Sequence, residues 1–457
     1  MSNLLKAMGL WIWGLIAVAI CLSLVTVSYR MVGAFRTHSS SSDSASSAAP
    51  SSPAPHAPLP EFLNDTFNPA SGSVVSKSIA VDIAAAQTAM QTGEWSKALN
   101  HLEAAEEKAP LTAYDRKSIE EIRAYSNIRL GNLHAAQSAY ETLLSRGAYR
   151  EEELVRVFRV LFQLAASDQQ PSKAIDYGQK AYGLGALKSS DLAIMAQVHY
   201  QQGDCKNSNI WGDRAIGASV KESVAPKEVV YQMKLQCASN ANDTAAMETA
   251  LYDLVHLTNK TNYWNYLIRL ERQDERDDRN TLMIYRVMFD TNSMQADTDY
   301  IEMAQLLGDA ALPGEAQIVL ERAISSGILK DEHKERTIRL LTAMQTRADA
   351  DKIGLPGLED EATRNSAGQL DMKLGEVYFG TRDYQAAATA IVRGLRKGQI
   401  MQPEQAYVYL GRVFVALHEP SEAKRAIAQL NSLPGISPRV LRLWNLYADT
   451  LGQANPN

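Results

Sequence analysis

Leu374–Leu395, LGEVYFGTRDYQAAATAIVRGL, and Leu410–Pro434, LGRVFVALHEPSEAKRAIAQLNSLP, carry one pattern twice. Each opens on Leu-Gly, with an aromatic residue, Tyr378 or Phe414, three positions after the glycine. After a short turn each sets a small residue, Ala387 or Ala423, four positions before an isoleucine, Ile391 or Ile427. Residues four apart lie on one face of a helix, so a small residue followed by a large one there predicts two helices packed closely across the turn.

Working outward, the pattern recurs at intervals of roughly thirty to forty residues. Gly93, Trp95, Ala98, Leu102, Ala105 and Pro110 form one copy, and Gly131, Leu133, Ala136, Tyr140 and Leu143 another. Gly203, Cys205, Ser208, Gly212 and Ala215 keep the spacing with small substitutes. One such pair cannot bury its own apolar face, whereas stacked pairs can. The expectation is an all-α, right-handed solenoid of nine or ten helical pairs over residues 79–457, with a concave and a convex side. The match is poor at 264–292, where RLERQDERDDRN stands in place of a turn, and at 333–361, read as one irregular helical pair.

These residues resemble the tetratricopeptide repeat family through their Leu-Gly-x-x-aromatic, Gly-x-aromatic-x-x-Ala and closing-Pro elements. The stretch YIEMAQLLGDAALPGEAQIVLERAISSGIL and the closing RLWNLYA are also similar to membrane-anchored bacterial envelope members of that family. The resemblance implies a binding scaffold whose first helices line the concave wall. Residues projected there are Tyr125 and Arg129, Arg159 and Gln163, Gln197 and Tyr200, and Gln232 and Gln236, polar and aromatic groups suited to an extended peptide. The carboxylate clamp of the chaperone-tail members is absent, since Glu121, Tyr125 and Arg159 occupy the corresponding places. In the same repeat frame Cys205 opens one second helix and Cys237 falls late in the next first helix. These antiparallel neighbours form either a disulfide, the favoured reading, or two reduced, buried thiols.

Upstream of the repeats, Gly9–Val27, GLWIWGLIAVAICLSLVTV, is uncharged and long enough to cross a bilayer. The expectation is an anchor over residues 1–37, spanning about 9–29, with Trp11, Trp13 and Tyr29 at its borders. A cleaved signal peptide is the alternative. Residues 38–78, containing SSSSDSASSAAPSSPAPHAPLP, hold too few large apolar residues for a core and read as a disordered Ser/Ala/Pro-rich linker. Basic residues flank the span almost evenly, so the tether decides the orientation: a single-pass protein of a bacterial inner membrane with its solenoid in the periplasm. Cleavage would instead leave a soluble periplasmic body.

Overall, 46 Lys+Arg stand against 52 Asp+Glu, and residues 79–457 carry −7. That balance disfavours nucleic acid and direct adhesion to anionic lipid. The chain has no His-Glu-x-x-His, Gly-x-Ser-x-Gly or Cys-x-x-Cys motif, and its eight histidines are dispersed, so no catalytic, cofactor or metal residues are assigned. The alternating charges of 271–279 read as a solvated, salt-bridged turn. The sequence supports a non-catalytic, membrane-tethered scaffold for an envelope protein or peptide. Two alternatives stand: a regulatory or assembly subunit of an energised transport or polymer-secretion complex, and an enzyme with a site hidden between helices.

Overall fold

A left-handed residue recurs two positions before the second helix of eight helical pairs, and it organises the structure. The computed structural model describes residues 75–108, 110–273 and 275–453; the expected membrane span, its cleavage alternative and the linker to residue 74 lie outside them. The described residues form twenty α-helices, a short 3-10 helix at Gln429–Ser432 and no strand. The first ten are α1 (Ala80–Gln91), α2 (Trp95–Glu106), α3 (Ala113–Arg129), α4 (Leu133–Ser145), α5 (Glu151–Ser167), α6 (Pro171–Gly183), α7 (Ser189–Gln201), α8 (Cys205–Glu222), α9 (Glu228–Asn240) and α10 (Thr244–Thr258). There follow α11 (Thr261–Arg272), α12 (Asp278–Asp290), α13 (Asp297–Asp309), α14 (Pro313–Ser325), α15 (Asp331–Arg364), α16 (Gln369–Gly380), α17 (Tyr384–Lys397), α18 (Pro403–Ala416), α19 (Pro420–Ala428) and α20 (Pro438–Thr450). They make nine pairs, α1–α2 through α13–α14 and then α16–α17 and α18–α19, with α15 and α20 standing alone.

Eight of the nine pairs share one turn. Gly93, Gly131, Gln169, Gly203, Asn242, Ala311, Arg382 and His418 all have φ between 53° and 80°. The amide after each donates to the carbonyl five residues back, as Glu94 does to Ala89 at 2.8 Å and Asp383 to Tyr378 at 3.0 Å. This closure satisfies carbonyls that the ending helix leaves free. The exception is α11–α12, where the charged run replaces it.

The small residues do what the sequence pattern implied. Ala98, Ala136, Ala387 and Ala423 are fully buried. A Cβ on Gly375 would lie 2.3 Å from Cγ1 of Ile391, and one on Gly411 2.8 Å from Cγ1 of Ile427. Any side chain at either glycine would have to displace the isoleucine packed against it. Tyr384 meets Phe379 edge to face, with ring centroids 5.6 Å apart.

Two readings of the sequence are corrected. Residues 333–361 are not an irregular pair but part of the 34-residue helix α15, which continues through Pro356. Its residues Thr337, Leu341, Met344, Ala348, Asp351, Leu355, Leu358 and Ala362 are buried or half-buried at alternating intervals of four and three, the spacing of a helical seam. The first part of that seam joins the large C-terminal core through Leu341 and Met344. The last part joins a smaller cluster with Leu374 of α16 and Ala390 of α17. The second correction concerns Glu271 alone within 271–279, where Gln273 and residues 276–279 are exposed as expected: Glu271 is fully buried and accepts a hydrogen bond from Tyr252 at 2.9 Å and one from Arg442 of α20 at 3.4 Å.

Glu271 belongs to a closure of the C-terminal part on itself. α20 lies against α10, α11 and α12. Further in, Arg286 of α12 donates to both carboxylate oxygens of Glu315 of α14, at 3.0 and 2.7 Å, and to the hydroxyl of Tyr409 of α18 at 3.0 Å. Tyr409 in turn donates to Glu315 at 2.5 Å. Arg412 of α18 bonds Glu315 and makes a bidentate pair with Asp290 of α12 at 2.8 and 3.1 Å. Two guanidiniums and two carboxylates thus balance in the interior, the condition for burying charge without prohibitive desolvation.

Candidate functional site

The first helices of the pairs are tied side by side by a device at their amino ends. In α3, α5, α7 and α13 the third residue is an acid, Asp115, Glu153, Asp191 and Asp299, that accepts from the backbone N–H before its own helix. The same carboxylate takes a charged group from the preceding first helix. Lys117 reaches Glu153 at 2.6 Å, Arg159 reaches Asp191 at 2.8 Å and Arg269 reaches Asp299 at 2.9 Å. Asp115 instead receives the amide and hydroxyl of Ser76, at 2.8 and 2.7 Å. Burial raises its pKa, yet these bonds and those from Thr112 outweigh it and hold the carboxyl down at about 2. Each tie therefore caps one helix and fixes the angle to its neighbour.

The expected groove residues divide on this frame. Arg159 and the buried Gln163 converge on Asp191, Gln163 at 2.5 Å, so both serve the joint between α5 and α7. Tyr125 meets Trp95 edge to face at 5.9 Å, and the Arg129 guanidinium lies 5.0 Å from that ring, so both cover α2. Gln232 donates to the hydroxyl of Tyr263 at 2.7 Å, and Lys260 bonds Glu228 at 2.7 Å, completing the joint between α9 and α11. Gln236 donates along its own helix to Asn240 at 2.9 Å. Tyr200 is half-buried, and burial pushes its phenol pKa up; Gln197 is exposed.

Sequence reasoning missed other groups on the first helices. Val155 of α5, Val229 of α9 and Tyr266 of α11 are 37%, 39% and 42% exposed, apolar side chains left uncovered on helices whose other faces are packed. The signal was present in Tyr266, an aromatic among the alternating polar residues of TNYWNYLIRLER. The poor repeat match there obscured it.

Cys205, at the start of α8, and Cys237, near the end of α9, form a disulfide, with Cα atoms 5.6 Å apart. The bond joins the fourth and fifth pairs at the place the repeat frame set them. Beside it His199 is buried, and its Nδ1 lies 3.2 Å from Asp204. No group of His, Cys, Asp and Glu suited to a metal ion occurs among the described residues.

Comparison with known proteins returns matches to solved structures alone: no family model and no curated protein matches the sequence. A tetratricopeptide repeat protein from Parabacteroides merdae aligns over 81% of this chain and 99% of its own, at 12% identity and a TM-score of 0.32. The C-terminal part of a TPR repeat-containing protein from Cytophaga hutchinsonii aligns over 57% and 95%, at 14% identity and a TM-score of 0.34. The structure of Naa15/Naa10 bound to HypK-THB aligns over 80% of this chain and 54% of the matched chain, at 13% identity and a TM-score of 0.36.

Proposed function

We propose that the chain is a non-catalytic protein-interaction scaffold of the bacterial envelope, tethered to the inner membrane by residues 9–29, that captures a periplasmic protein or peptide on the wall of its first helices. The observation that carries this reading is the repeated tie at the amino ends of α5, α7 and α13, which sets neighbouring first helices before any partner arrives. A wall already in position spares the ordering entropy that a flexible surface would lose on binding. A tether would add to capture by raising local concentration near membrane partners. The disulfide suits a compartment in which thiols are oxidised.

The test is crosslinking and pull-down from intact membranes, comparing the native chain with the triple variant Gln197→Ala, Gln236→Ala, Tyr266→Ala. These side chains do not tie one repeat to the next in the bonds described above, whereas alanine at Arg159 or Gln163 would also loosen the stack. Loss of one stoichiometric partner in the variant, with unchanged thermal unfolding, is expected. Unchanged capture would move the binding surface elsewhere.

A further inference from the structure

A pocket of about 180 Å³ opens between α14, α15 and α16, with Tyr409 of α18 also lining it. Cofactor-sized sites run to roughly 300–1,000 Å³, so this one suits a single side chain or a small ligand. Two features of the backbone create it. The seam of α15 changes hands here, from the large core to the smaller cluster, and at the change the seam residues are Ala348 and Asp351. Opposite them α14 and α16 meet backbone to backbone, since a Cβ on Gly314 would come 2.7 Å from Cα of Gly380. A seam that is elsewhere leucine, methionine or another uncharged residue has a carboxylate where the cavity lies.

The charges around the cavity are mostly committed. Glu315 faces Arg286, Arg412 and Tyr409. Glu321 accepts from Arg382 at 2.6 Å and Gln317 at 2.7 Å. Lys373 donates to the carbonyl of Ala311 at 2.9 Å. Glu376 of α16 is different. Its side chain is 18% exposed, no hydrogen bond to it occurs among the described residues, and its nearest cation, Lys373, stays 3.8 Å away. Burial raises its carboxyl pKa to about 7, and the neighbouring charges of Glu315 and Asp351 add to the rise against Lys373 and Arg286. Asp351 likewise has no hydrogen-bonded partner among the described residues. Asp349 and Lys352 are exposed at the rim.

We propose that this pocket receives one basic side chain, lysine or arginine, of a partner polypeptide, with Glu376 and Asp351 as its anionic contacts. A cation at the end of a flexible apolar stem fits the lining: Ile318, Val377 and Ala348 meet the stem and the two carboxylates meet the head. The site names a partner chemistry for the scaffold reading without needing the wall of first helices, so either can fail alone.

The test uses the purified full-length chain and ligand-observed saturation-transfer NMR titrations. The probes are capped lysine and capped arginine amides, butylamine, and capped norleucine amide. The capped basic residues should bind, norleucine should not, and butylamine should bind more weakly than capped lysine. Glu376→Gln and Asp351→Asn should each weaken binding by about tenfold or more, the value of one charge-assisted contact. Binding to the native chain should also weaken as pH falls from about 8 to about 6, as Glu376 takes up a proton, and this dependence should vanish in Glu376→Gln. Circular dichroism on both variants separates lost contact from lost fold. Equal binding of native and Glu376→Gln chains, or no binding of either basic probe, would overturn the proposal, and butylamine matching capped lysine would overturn the polypeptide source.

Discussion

The helices from α1 to α9 and those from α10 to α20 are built from similar helices, yet they are held together over different distances. In the first region the ties reach one repeat along the chain: Lys117 to Glu153, Arg159 to Asp191, Lys173 to Glu141. Its core is likewise divided, with Phe162 to Met233 forming a cluster of their own. In the second region Arg286 reaches Gln405 and Tyr409, Arg412 reaches back to Asp290, and Ser437 donates to Asn280 across 157 residues. One apolar core there runs through to Ala448, and it takes in α10 and reaches back to Tyr231 of α9, where the two regions meet. An open stack has stability close to a sum over neighbours, so it can fray from any weak joint. A segment closed on itself must give up distant contacts together, so the two regions should differ in cooperativity.

The strongest way to break that comparison is Glu315→Ala. It leaves the buried Arg286 and Arg412 facing an empty site, and stability should fall by about 3–5 kcal/mol in denaturant titration. Hydrogen exchange should show protection lost across α12, α14, α18 and α20 together, with α3 to α8 unchanged. Loss confined to α14 would mean the closed region is not cooperative. A pH titration carries the same information. Burial raises the pKa of Glu315, but Arg286 and Arg412 outweigh it and hold the carboxyl at about 2, below its ordinary 4.5. The stability it gives is therefore present above about pH 4.5 and lost as pH falls towards 2. The variant should lack that acid-dependent loss.

Asp191→Ala is the counterpart in the open region. It removes a helix cap and the acceptor of Arg159 and Gln163 in one step, so about 1–3 kcal/mol should be lost. Exchange should quicken in α5 and α7 only, with the C-terminal region untouched. Spread of that effect into α12 or α18 would show the regions to be one unit.

This division also marks what was legible in the sequence. The pairs could be read because their signal is local: Ala98, Ala136, Ala387 and Ala423 sit at fixed offsets from a turn, and all four are buried. The Cys205–Cys237 bond could be read because it joins adjacent repeats. The ties at Glu153, Asp191 and Asp299 were readable in principle, since each acid follows a basic residue by one repeat, but the repeat frame projects Arg159 and Gln163 into a groove instead. The ionic centre left no local mark. Arg286, Glu315 and Arg412 look like ordinary charged helix residues until the chain closes on itself, and Glu271 inside a run of alternating charge looked solvated for the same reason. The pocket at Glu376 depends on the same closure, through Tyr409.

The smallest effect sharpens the comparison most, because the backbone change is the same on both sides. Gln169 and Ala311 occupy equivalent turn positions at φ 55° and 58°, a left-handed conformation that costs a residue with a Cβ roughly 1–2 kcal/mol. Glycine removes that cost but loses more chain entropy on folding, so Gln169→Gly and Ala311→Gly should each gain only about 0.5–1 kcal/mol. The local gain is the same, but its spread should not be. At Gln169, between α5 and α6, the added protection in hydrogen exchange should stop within neighbouring pairs. At Ala311, two residues before the helix carrying Glu315, the same gain should appear throughout α12 to α20, because no part of that closure opens without the rest. Equal, local gains at both turns would reduce the closed region to a stack like the first.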